Sequence, residues 1–138
     1  SAWPDLRAEG GATALHTAAQ EGHLDIASAL LDHRAAADAL SDAGATPLML
    51  AALRGEVGAT RLLLHRGATV DARTRSGWTP LLLAAQHGHA AAVEALLEGR
   101  ADASAATQGG VTAARAAAAG GHGDVAALLS RWTTGRRP

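Results

Sequence analysis

The sequence predicts an all-α fold, a solenoid of stacked helix pairs, and three observations point to it. Apolar residues fill 48% of 138 positions, yet Phe and Tyr are absent and aromatics reach only 2%. Alanine supplies much of that apolar fraction, and a core of Ala, Leu and Val closes only if its elements approach tightly, as short helices can. Second, Thr13, Thr46, Thr79 and Thr112 are spaced at 33 residues, as are Gly11, Gly44, Gly77 and Gly110. Third, Ala18-Ala19, Ala51-Ala52, Ala84-Ala85 and Ala117-Ala118 keep the same interval, as do Leu30-Leu31, Leu63-Leu64 and Leu96-Leu97, with Leu129 in the fourth copy. Registers agreeing over four copies make this a repeat protein.

Each unit reads in order. In "GATPLMLAALRG" and "GWTPLLLAAQHG" a threonine stands before a proline. Its hydroxyl caps a helix whose first residue has its φ preset. Roughly two helical turns follow, ended by Gly55 or Gly88 in the C-cap role. A second short helix, such as "AAAVEALLE", runs to the leucine pair and stops at a glycine or arginine. The polar, glycine-flanked "GATVDARTRSG" then reads as an extended, hairpin-like connection. Helices this short are marginal alone, so stability must come from stacking each unit on the next. That logic predicts a large loss for Leu63→Ala and a smaller one for Leu129→Ala, since the fourth unit has a neighbour on one side only.

These units resemble the ankyrin repeat, in which a β-turn and two antiparallel helices recur every 33 residues with a T-P-L-H-x-A signature. The resemblance covers nearly the whole chain and is strongest in residues 44–55 and 77–102. It implies one domain: a cap at 1–7, repeats at about 8–40, 41–73, 74–106 and 107–132, and a tail at 133–138. The first unit keeps His16 but has Ala14 for the proline, and the fourth has Ala113 and Ala114 for Pro-Leu. Such departures at both ends are what capping units show.

Composition narrows the function. Net charge is −1 and the sequence pI about 6.6, so no global field draws the chain to nucleic acid or membrane. Residues 1–60 hold three arginines against eight acids, and residues 61–138 hold nine arginines against five. Lysine and cysteine are absent, which removes disulfides, thiolate metal sites and a cysteine nucleophile. No apolar run approaches the roughly 20 residues of a membrane span. The opening "SAWPDLRAEGG" has neither a basic n-region nor an apolar h-region, so no signal peptide is expected and a cytoplasmic or nuclear site is.

The sharpest chemical candidate is "HGH" at 87–89 with Glu94 beyond it. His89 shares its register with His23 and His122, and Glu56 takes that place once, so it reads as scaffold. The resemblance implies that such a histidine ties the inter-helix turn to its neighbour, and that His16 bonds its own turn. His87 has Glu21, Arg54 and Gly120 as counterparts and reads as a surface residue. Zinc usually needs three or four protein ligands, so no metal or cofactor is expected. No G-x-S-x-G, H-E-x-x-H or P-loop occurs, and Ser28, Ser41, Ser76, Ser104 and Ser130 show no positioned base. No catalysis is expected. In some ankyrin proteins an asparagine after the second helix is hydroxylated; the matching positions here are Asp38, Asp71 and Ser104.

The resemblance further implies a concave surface of turn tips and first helices that grips partner proteins. The variable positions there in repeats two and three are Leu40, Asp42, Leu53, Arg54, Arg66, Arg73, Arg75, Ser76, Trp78, Gln86 and His87. Stacking does not ask for Arg, Arg and Trp at one tip, and Trp and Arg are enriched in binding hot spots. Trp78 either meets a partner or folds back onto the next turn. Trp3 and Trp132 read as covers for the ends of the core. The expected partner is a protein or peptide with acidic and apolar groups, bound by a monomer. The alternatives are a regulatory or targeting module of a larger protein, and nucleic-acid or headgroup binding by Arg66, Arg73 and Arg75.

Overall fold

A computed structural model describes residues 5–133. Eight helices follow one another: α1 (Ala14–Glu21), α2 (Leu24–Asp32), α3 (Pro47–Arg54), α4 (Val57–His65), α5 (Pro80–Gln86), α6 (Ala90–Glu98), α7 (Ala113–Ala119) and α8 (Gly123–Thr133). The odd-numbered helices pack side by side as one layer and the even-numbered ones as a second. Each pair therefore rests on its neighbours in sequence, as a solenoid requires. Among the described residues the only β-pairing is two isolated bridges, Arg7 to Thr13 and Ala106 to Thr112, each closing a turn.

The first helix of every pair starts in the same way. Thr13, Thr46, Thr79 and Thr112 each accept a hydrogen bond from the backbone N–H three residues on, at 3.4, 3.2, 3.2 and 3.3 Å. Helix ends differ slightly from expectation. Gly22 and Gly55 cap α1 and α3 in the left-handed region, whereas α5 is capped by His87, with left-handed Gly88 one residue later. One residue past the caps of the second helices, Arg34, Gly67 and Arg100 all have positive φ (67°, 89° and 71°), which glycine adopts without cost and arginine does not.

Burial follows the register. Ala18, Ala19, Ala51, Ala52, Ala84 and Ala85 lie in the core, where a side chain of one carbon lets neighbouring helices meet. Ala118, last of its series, is exposed, since no fifth pair covers it among the described residues. The two ends of the stack differ in kind. At the far end Arg115 and Ser130 are exposed in registers held elsewhere by buried His16 and Leu31. At the near end Ile26 is 54% exposed in a register where Ala59, Ala92 and Val125 are buried. In these registers the far end shows polar groups and the near end an apolar one.

Leu129 is 1% exposed against 0% for Leu63, so burial alone does not separate them. α4 packs on α2, α3 and α6, whereas α8 packs mainly on α6 and α7, and the smaller loss expected at Leu129 rests on that one-sided stack. Trp132 is half-buried against the core, whereas Trp3 and the tail from residue 134 lie outside the described residues.

Candidate binding face

Inter-unit hydrogen bonds set the rigid frame on which the variable side chains stand. His16 is fully buried, and its Nδ1 accepts the Thr13 N–H at 3.0 Å. Nε2 therefore carries the proton and donates to the Ala45 carbonyl, 2.8 Å away in the next unit. Burial, with a smaller push from the Arg7 charge, holds its pKa below 6.5 against the opposing pull of the Ala45 bond. A second seam, which the sequence reasoning missed, is formed by aspartates spaced at 33. Asp5 accepts the Ala36 N–H, Asp38 accepts the Thr69 N–H and hydroxyl, and Asp71 accepts the Asp102 N–H. The recurrence of Asp5, Asp38 and Asp71 was the available signal. Asp38 and Asp71 are thus joints of the stack, and Ser104 bonds the Asp102 carboxylate beside it, lowering that carboxyl's pKa below 3.8.

The "HGH" histidines divide by role. His89 Nε2 donates to the Leu53 carbonyl of the preceding unit at 3.0 Å, and its ring lies over Gly55, where a Cβ would meet Nδ1 at 2.6 Å. His122 lies over Gly88 in the same manner, and the Glu56 carboxylate over Gly22. These glycines are needed for their left-handed φ and for the approach of the next unit's side chain. His87 is exposed; its Nδ1 donates to the Leu83 carbonyl at 3.0 Å, and its ring stacks on His89 with centroids 6.3 Å apart. Among the described residues no three His, Asp or Glu side chains converge as a metal site would require. The Ser41 and Ser104 hydroxyls bond their own turns, and the Ser76 hydroxyl lies 3.4 Å from that of Thr74.

The predicted partner-binding residues do not form one group. Arg66 caps the end of α4, in the layer of even-numbered helices, and pairs with Asp32 at 2.7 Å rather than standing at a tip. Arg73 spends its guanidinium on the Ala106 carbonyl of the following tip, at 2.5 Å. The Asp42 N–H donates to the Gly10 carbonyl, and the Ser76 carbonyl accepts from the Gln108 N–H. Leu53 is half-buried and gives its carbonyl to His89. Leu40, Arg54, Arg75, Gln86 and His87 are exposed, and the Arg54 and Arg75 guanidinium groups have no hydrogen bond or ion pair among the described residues.

Trp78 is half-buried against the core, so the packing reading holds for part of its ring. The remainder borders an open groove of ≈ 330 Å³ between α5 and α7, with Gln86, Val111, Ala116, Ala119 and Gly120. Small side chains on α7 leave that space. The open space beside Trp78 thus lies towards the fourth unit, beyond the span that the sequence singled out.

The chain matches the family model for ankyrin repeats, described as three copies, over residues 3–74 and again over residues 67–134. No curated protein matches it. Repeats of this kind commonly serve as protein-interaction modules and are generally non-catalytic.

Proposed function

Because the chain belongs to the ankyrin repeat family, we propose that it is a non-catalytic scaffold. It binds a partner protein or peptide through the inner face of repeats two and three, continued onto the fourth by the groove beside Trp78. One observation carries this reading: a tryptophan anchored in the core on one side and open to a groove on the other. That arrangement gives a partner a large, rigid apolar surface at little entropy cost. Exposed Arg54, Arg75 and His87 favour a partner with acidic as well as apolar groups. No helix among the described residues is long and apolar enough to cross a membrane, and we place the encounter in the cytoplasm or nucleus.

The test is capture of partners by wild type and by Trp78→Ala, with Arg61→Ala as control. Arg61 stands on α4, in the layer of even-numbered helices that we take as the outer one, paired with Glu98 at 2.9 Å. Trp78→Ala is expected to weaken capture by at least about 2 kcal/mol, the usual hot-spot size, and Arg61→Ala to leave it unchanged. Equal losses at both sites would move the partner to the outer layer.

A second reading has one observation in its favour. Ile26 gives the near end of the stack an exposed apolar group at a register that every other unit buries. Such an end suits a further segment of a longer protein, in which this array would be a regulatory or targeting module. The length of the gene's open reading frame checks it.

A further inference from the structure

The three junctions between successive turn tips are not alike. Between the first and second tips, Arg7 donates to the Leu40 carbonyl and the Asp42 N–H donates to the Gly10 carbonyl. Between the third and fourth, Arg73 donates to the Ala106 carbonyl and the Gln108 N–H to the Ser76 carbonyl. By the same register, the second and third tips would be joined from residue 40 to the residue 73 carbonyl and from the Arg75 N–H to the Ala43 carbonyl. Neither bond exists among the described residues. The glycines report the same opening independently. A Cβ on Gly11 would meet the Asp42 nitrogen at 2.9 Å, and one on Gly77 the Gln108 nitrogen at 2.9 Å, but one on Gly44 would meet nothing within 4 Å. In this Gly44 matches Gly110, whose tip is the last among the described residues.

The sequence holds the cause. Where the Arg7 and Arg73 side chains reach across to the next tip, the second tip has Leu40, whose side chain has no donor and which is 53% exposed. The Arg75 N–H and the Ala43 carbonyl, both in exposed residues, have no hydrogen-bond partner among the described residues, and the Arg75 guanidinium is unpaired beside them. Asp42, the acid of the second tip, is turned the other way, over Gly11.

We propose that the notch between the second and third tips seats an extended acidic segment of a partner protein, which completes the tip ladder that Leu40 leaves open. Resting on the binding function above, this names the class of partner and its first point of attachment. The segment's backbone accepts from the Arg75 N–H and donates to the Ala43 carbonyl, as in strand addition to an open edge. Its carboxylate pairs with the Arg75 guanidinium, and an adjacent apolar side chain covers Leu40.

The probe is a displayed library of random linear peptides selected on the full chain, with binding then measured on variants. Leu40→Arg restores the guanidinium that closes the other two junctions, and Arg75→Ala removes the charge while sparing the backbone. The expected result is enrichment of peptides with an acid beside an apolar residue, whose affinity falls at least about tenfold on each variant. Amide exchange adds a reading without any peptide: the Arg75 N–H exchanges faster than those of Asp42 and Gln108, and Leu40→Arg slows it. Failure to enrich acidic peptides, equal binding to wild type and both variants, or an Arg75 amide as slow as the other two, each overturns the proposal. Peptides lost with Trp78→Ala but kept by Leu40→Arg and Arg75→Ala sink the notch while sparing the inner face; peptides indifferent to all three sink both. If Leu40→Arg fails to fold, Arg75→Ala and the exchange rates of the wild type decide.

Discussion

The Nε2 of His16 lies 2.8 Å from the carbonyl oxygen of Ala45, 29 residues further along the chain, and joins the first helix pair to the second. The charged ring could still donate to Ala45, but Nδ1 must stay unprotonated to accept the Thr13 N–H, so the pair of bonds together needs the neutral ring. Burial favours that form, so the folded pKa lies below 6.5. Just below that pH the unfolded chain binds more protons than the folded one. Stability from this site is therefore complete above about pH 6.5 and declines as pH falls through the window beneath it. Chemical denaturation at neutral and mildly acid pH checks this. His16→Leu, which borrows the residue found at buried Leu82, flattens the dependence. It costs about 1–3 kcal/mol at neutral pH by leaving the Ala45 carbonyl without its donor. An unchanged pH slope in the variant would refute the assignment.

Gly55 and Gly10 both have positive φ, 73° and 82°, but only Gly55 lies under a neighbour's side chain. Alanine at Gly10 carries the conformational cost alone, about 1–2 kcal/mol. At Gly55 it also displaces His89 from Leu53 and costs at least about 1 kcal/mol more. Removing His89 as well recovers part of the difference, and a double-mutant cycle measures it. Equal costs at Gly10 and Gly55 would show that the His89 ring is not held as described.

Leu63→Ala, at a completely buried position, lowers stability by roughly 2–5 kcal/mol through transfer and cavity terms. Ile26→Ala deletes a residue of similar size that is 54% exposed, and changes stability by less than about 1 kcal/mol. Urea melts compare them. A large loss at Ile26 would mean that the near end of the stack is covered.

Arg73 and Arg75 stand two residues apart and separate by role. Arg73→Ala removes a charged donor from the Ala106 carbonyl and costs about 1.5–3 kcal/mol or, at this exposed tip, somewhat less. Arg75→Ala breaks no bond and stays within about ±0.5 kcal/mol. Thermal melts that rank them in the opposite order would contradict the tip geometry.

Arg34 and Arg100 occupy the left-handed position that Gly67 fills in the second unit. Replacing Arg100 by glycine removes a strain of about 1–2 kcal/mol and raises the cost of ordering that residue by somewhat less. A small net rise in melting temperature is expected, and a fall would show that the arginine side chain holds that turn.

The sequence by itself determined the repeating frame. Threonine caps, helix-ending glycines and the alanine and leucine registers are local or nearest-neighbour devices, and each recurs four times in the chain. Local physics repeated at a fixed interval is readable without coordinates. The separation of His89 from His87 was readable for the same reason, since one recurs with the repeat and the other does not.

Only the tertiary structure decided which of the variable residues remain available to a partner. Arg66, Arg73 and Arg75 look alike as letters. Across the stack, Arg66 meets Asp32 and Arg73 meets Ala106, while Arg75 meets nothing among the described residues. Likewise Leu40 reads as one more variable tip residue until Arg7 and Arg73 are seen bridging the junctions that it leaves open. Such pairings join residues of different units through a few ångströms of geometry, and a linear spacing of 33 places the units without saying which donor finds which acceptor.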